Sequence, residues 1–211
     1  MLREQFIEVL GKSWPMLIVF TVIISSIRFA YLKVNRQKFV FYKEASLLLF
    51  MIYILLLFYV VTYQDPVSTS ISSYNLVPFK EILRYDIGSV KFYKNIVGNL
   101  LIFVPFGFFV SCYLKKKKFG VIFLLSLISS LTIEFTQRLI GGRVFDIDDI
   151  ILNVTGGMIG YFIYVIFDEI IDHVPRVFKK DWFVNLLIIA LIIFIYLYVC
   201  NFEIKLPEVA S

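Results

Sequence analysis

Long apolar runs separated by short polar stretches organise this chain. Residues 14–32, 45–63, 96–114, 119–139, 150–167 and 183–199 are each nearly free of charge. About 20 predominantly apolar residues are needed to carry a helix across a bilayer core. The pattern therefore predicts an all-α, polytopic transmembrane helical bundle with about six spans, five being the lower count. Residues 1–13 read as an amphipathic lead-in, with Phe6, Val9 and Leu10 on one face. The run at 14–32 is expected to be retained as a helix rather than cleaved.

The connectors differ in character. Residues 33–43 (KVNRQKFVFYK) are basic, and residues 64–94 form the longest polar segment, broken by Pro66 and Pro78. Within it, 79–92 predicts a surface helix that turns Ile82 and Leu83 to the membrane. In the third run, FVPFGFF places Pro105 and Gly107 two residues apart. Proline removes a backbone donor, so a kink is expected there. Gly141 and Gly142 end the fourth run, and Asp146 or Asp148 can cap the fifth helix. The connector at 168–181 is broken by Pro175, and the tail from 201 is polar and loose.

Composition supports the membrane reading. Sixty per cent of the 211 residues are hydrophobic and 18% are charged, against nearer half and a quarter in soluble domains. The net charge of +5 lies in the loops, where it reads as topology and anionic-lipid contact. No nucleic-acid motif is present. Twelve of 21 Lys and Arg residues, including Lys115 to Lys118, fall on one side of a six-span chain and nine on the other. That bias puts both termini and the turn between the fourth and fifth runs outside. Cys112 and Cys200 fall at opposite leaflets, so they read as small hydrophobes rather than a disulfide.

The polar residues that enter the membrane gather between 134 and 160. Asp149, Asn153, Gly156 and Gly160 fall within about 60° of one helical face. Ser130, Glu134, Gln137, Arg138 and Gly141 share a face of the preceding helix. A short turn makes the two helices antiparallel neighbours, so these faces can meet. Arg143, in the turn, could bridge Glu134 and Asp146 or Asp149. Asn95 and Asn99 could close the cluster from the third span. Intramembrane polar groups are costly, so such a cluster points to function. The plainer readings are that Gly156 and Gly160 pack helices, that Asn99 and Asn153 are interhelical hydrogen bonds, and that Asp148 is a solvated turn residue or cap. Oxygen ligands from Glu134, Asp146, Asp149 and Asn153 would suit a hard cation, but an arginine among the acids argues for charge compensation, and no metal or cofactor is expected. No nucleophile triad, phosphate loop or HExxH pattern occurs, and His173 reads as an ordinary loop histidine.

These residues resemble the VanZ-like family. The matching pieces are Asn95-x3-Asn99 leading to Phe103-x-Pro105-Phe106-Gly107, then Glu134-x2-Gln137, then Arg143-x2-Asp146-x2-Asp149-x3-Asn153-x2-Gly156-x3-Gly160, with Asn75-Leu-Val-Pro78-Phe79 before the third span. The resemblance covers about residues 50–167, the expected core. It leaves 1–13 as a lead-in, 14–49 as the first span and its connector into the second, and 168–211 as the last connector, span and tail. It implies a multi-pass protein of a bacterial cell membrane associated with resistance to teicoplanin and related lipoglycopeptides, with no established catalytic mechanism. The expected role is binding of a polar ligand at the outer leaflet: a lipid headgroup, a cell-wall precursor or a glycopeptide antibiotic. The alternatives are an intramembrane enzyme using Glu134 or Asp149 as base on a lipid-linked substrate, and a proton-coupled transporter using Glu134. Membrane lipids are the expected partners, and nothing in the sequence sets the oligomeric state.

Overall fold

A computed structural model describes residues 2–62, 74–114, 118–141 and 145–204, with the side chains of 11–60, 74–114, 118–139 and 145–193. It is a helical bundle. Helix α1 runs Leu2–Val34 and α2 Phe41–Thr62. Helix α3 spans Val90–Leu114, α4 Phe119–Gly141, α5 Ile147–His173 and α6 Asp181–Ile204. Among the described residues, five helices are long and apolar enough to cross a membrane, and the apolar part of α6 covers at least Asp181–Ile193.

Helix α5 is the hub. More than half of its spanning window is buried, against 6% for α1 and for α2. It packs chiefly on α3 and then on α4. Ile122 of α4 with Ile150, Val154, Met158 and Tyr161 of α5 forms the apolar core. The outer faces of α1 and α2 display Ile18, Val22, Ile27 and Phe58 to the surroundings, as lipid-facing surfaces do.

Small residues let α5 approach so closely. A Cβ on Gly156 would lie 2.0 Å from the Leu100 carbonyl oxygen, and one on Gly160 2.1 Å from that of Val104. A Cβ on Gly107 of α3 would lie 1.9 Å from the Gly157 carbonyl oxygen. Small residues on both sides are the usual means of bringing membrane helices into backbone contact. Pro105 lies inside the continuous helix α3. Tyr53 of α2 donates its hydroxyl to the Ile102 carbonyl at 2.7 Å, fixing that stretch to its neighbour.

The helix limits differ from the sequence expectation in three places. The lead-in and first span form one continuous helix, with Pro15 inside it. Helix α2 begins at Phe41 because Asn185 of α6 accepts the Tyr42 backbone N–H at 2.9 Å, a cap supplied from a distant helix. Helix α5 extends to His173, which lies in its last turn rather than in a loop.

The expected surface helix over 79–92 is corrected. One 3₁₀ turn, Ile82–Arg84, stands there, and α3 starts at Val90 with Ser89 as its N-cap. The reason lies in α5. The Asp148 carboxylate accepts the backbone N–H groups of Phe79 at 2.5 Å, Glu81 at 2.7 Å and Ile82 at 3.2 Å. Phe79 takes a left-handed φ of 65° to present its N–H, a conformation uncommon outside glycine.

Candidate functional site

The site lies where the start of α3, the end of α4 and the start of α5 converge with the end of α2. Two short strands frame it. Tyr74–Asn75 pairs in parallel with Phe145–Asp146, in the register Tyr74 to Phe145 and Asn75 to Asp146. Asp146 is the N-cap of α5, accepting the Asp148 N–H at 2.9 Å. The same Oδ1 accepts the Asn75 amide at 2.8 Å, and the Asp146 N–H donates to Glu134 at 3.1 Å. Four elements are thus joined through one aspartate.

Between the helices, Asn99 of α3 donates to Asp149 of α5 at 2.5 Å, and Asn153 of α5 donates to the Ser130 hydroxyl of α4 at 3.0 Å. Glu134 and Asn153 are almost wholly buried, at 3% and 5% exposure. The Asn153 Oδ1 is buried without a hydrogen-bond partner. Buried polar atoms are nearly always paired, so this acceptor lacks a donor that a water or ligand could supply.

Two small cavities meet at Asp149. The inner one, about 30 Å³, is lined by the polar residues Asn99, Glu134, Gln137, Asp149 and Asn153. Leu57, Val60, Ile102, Phe103 and Ile133 complete its lining. The outer one, about 100 Å³, is bounded by Glu81, Tyr85, Asn95, Asp146, Asp148 and Asp149 with three apolar residues. The inner cavity has room for one or two water-sized groups. Burial raises the Asp146 carboxyl above its usual value, while hydrogen bonds from Asp148 and Asn75 oppose the rise. Tyr85 is likewise raised, first by burial and then by nearby Glu81.

Of the residues singled out in the sequence, Glu134, Gln137, Asp149, Asn153 and Asn99 line the inner cavity, and Asp146 and Asn95 the outer. Asn95 and Asn99 would share a face of a regular α-helix. A π-turn at Tyr93–Val97 inserts extra residues per turn and shifts that phase. Asn95 bonds back to the Lys91 carbonyl at 3.1 Å. Gly156, Gly160 and Gly107 sit at the α3–α5 contact rather than in either cavity. Arg143, with its expected bridge to the acids, lies outside the described residues. Among the described residues no group of acids, histidines and cysteines is disposed to hold a metal ion.

Sequence reasoning placed Arg138 on the polar face but missed its partner Tyr74 and the role of Asp148. Asp148 is not solvated but 1% exposed, and it organises the 79–82 segment. Its adjacency to Asp146 and Asp149 hid it, because two acids beside a turn ordinarily face water. Tyr74 and Arg138 form a stack, with the guanidinium carbon 3.7 Å from the ring centroid. Sixty-four residues separate them, and only the strand pairing brings them together.

The family model described as VanZ/LLP1 matches residues 45–168. Protein VanZ of Enterococcus faecium is 27% identical over 121 residues, covering 57% of this chain and 70% of that protein. No solved structure matches.

Proposed function

The chain belongs to the VanZ/LLP1 family, and from that premise we propose that it binds a polar ligand at the outer leaflet of a bacterial cell membrane and so contributes to teicoplanin resistance. The observation that carries this reading is the inner cavity. Five polar side chains, Asn99, Glu134, Gln137, Asp149 and Asn153, line it together with five apolar ones from α2, α3 and α4, and the Asn153 acceptor among them is buried and open. A site built only for packing would be better served by apolar residues, since buried charges rarely add stability over a hydrophobic core. A mixed polar and apolar wall suits a ligand with a polar head and an apolar neighbour, which is the chemistry of a lipid headgroup or a lipid-linked wall precursor.

The test is susceptibility in a teicoplanin-sensitive host. Expression of the wild-type chain is expected to raise the inhibitory concentration of teicoplanin. Asp149→Ala is expected to abolish the rise while the protein still inserts. Full resistance with Asp149→Ala would overturn the reading.

Glu134 and Asp149 line the same cavity, which also supports a second reading, acid–base chemistry on a lipid-linked substrate. It predicts a modified envelope lipid detectable by mass spectrometry. An unchanged lipid profile beside intact resistance would eliminate it.

A further inference from the structure

We propose that Arg138 anchors a phosphate, so that the ligand of this site is a phosphate ester carried on a membrane lipid with a hydroxyl- or amine-bearing headgroup. The inference rests on the reading that the inner cavity binds a polar ligand. Arg138 lies one residue after Gln137 and one helical turn beyond Glu134, both of which line that cavity. It occupies the last turn of α4, so it sits on the membrane-surface side of the cavity, at headgroup level.

Its guanidinium lies over the Tyr74 ring, 3.7 Å from the centroid. Tyr74 is fixed in turn by strand pairing to Phe145, and its neighbour Asn75 by the bond to Asp146. The contact with the ring restrains the guanidinium and gives none of its N–H donors a hydrogen-bond acceptor. Yet Nη1 is buried without a hydrogen-bond partner, and the ion pairs found among the described residues do not include Arg138. A buried donor left unpaired costs about 1–3 kcal/mol, and more when charged. A terminal arginine is otherwise free to extend its head to water. A phosphate oxygen satisfies that donor with a charge-assisted bond.

The cavity sets the rest of the ligand. Its size and the carboxylates of Glu134 and Asp149 exclude a phosphate from the interior. A hydroxyl or ammonium group is small enough to enter and donates to the open Asn153 Oδ1. The phosphate then stays outside, against Arg138.

The experiment uses the full chain in detergent, with lipid retention read by native mass spectrometry. The probes are short-chain phosphatidylglycerol, diacylglycerol of the same chains, and inorganic phosphate. Phosphatidylglycerol is expected to be retained by the wild type and lost by roughly tenfold in Arg138→Gln. Arg138→Lys should fall between, because an ammonium gives charge without the planar fork. Diacylglycerol should bind weakly and equally in all three. Tyr74→Leu, which keeps the charge and removes the stack, should weaken retention and serves if Arg138→Gln does not fold. Equal retention by wild type and Arg138→Gln overturns the proposal. If retention instead falls only in Asn153→Leu, the cavity reading stands and the phosphate inference fails. If neither variant changes retention, the cavity reading fails too. Displacement of the lipid by millimolar inorganic phosphate would assign the site to a free anion and overturn the lipid half.

Discussion

The carboxylate of Asp148 accepts the backbone N–H of Glu81 at 2.7 Å from a position 67 residues away. With the bonds to Phe79 and Ile82, this single side chain pins the segment before α3 onto the start of α5. Asp148→Ala should leave three backbone donors unpaired at a cost of about 1–3 kcal/mol each where water cannot reach them. A large fall in thermal stability in detergent is expected, with a smaller fall for Asp148→Asn, which keeps one acceptor oxygen. Protease cleavage within 79–89 should accelerate in parallel.

The bond from Asn99 to Asp149 joins α3 to α5 within the membrane. Interhelical hydrogen bonds of this kind contribute roughly 0.5–2 kcal/mol. Asn99→Leu should lower stability by about that amount. Asn99→Asp should be worse, because it sets a second carboxylate against Asp149. A melting series in one detergent orders the three proteins.

Gly156 and Gly160 are constrained by the α3 backbone rather than by any ligand. Gly156→Ala places a methyl group 2.0 Å from the Leu100 carbonyl oxygen, so the helices must separate. Overpacking of this kind costs about 1–3 kcal/mol. Gly120, with nothing within 4 Å of an added Cβ, should accept alanine with little change. Melting temperatures of the two variants give the comparison.

Asp146 carries a pH dependence of defined sign. Burial raises its folded pKa above the usual 3.8. The fold therefore favours the protonated form. That contribution is fully present below pH 3.8 and is lost as pH rises through the folded pKa. Both bonds it accepts fall on Oδ1, so Asp146→Asn can keep them without titrating. The stability of the variant relative to wild type should rise with pH from about 4 toward neutrality. A flat difference would show that Asp146 is not shifted.

The side of the membrane is open to a labelling test. The Lys and Arg bias predicts that the site end faces outside. A cysteine at Ile87, 90% exposed at that end, should react with an impermeant maleimide in intact cells. One at Lys118, at the far end, should react only after lysis. The reverse pattern would place the site in the cytoplasm.

The helical bundle was legible because apolar runs of spanning length admit few other structures in lipid. The face periodicity also brought Asn153 together with Ser130, since two antiparallel helices joined by a short turn leave little choice. What the sequence hid depends on long-range partners. Asp148 looks like a surface turn residue until the 79–82 backbone is seen to need its oxygens. Asn95 and Asn99 look like one face because a π-turn leaves no mark in residue spacing. Tyr74 and Arg138 meet only through a two-residue strand pair, too short to produce an alternating pattern.

The most direct test of ligand binding is photo-crosslinking in living cells. A photoreactive residue replaces Gln137, on the wall of the inner cavity, and in a control replaces Leu131, on the lipid-facing side of the same helix. Adducts are identified by mass spectrometry. Position 137 is expected to capture one envelope lipid or wall precursor, enriched over its abundance in the membrane, while position 131 captures bulk lipid in proportion. The same bulk-lipid adducts at both positions would contradict ligand binding in the cavity.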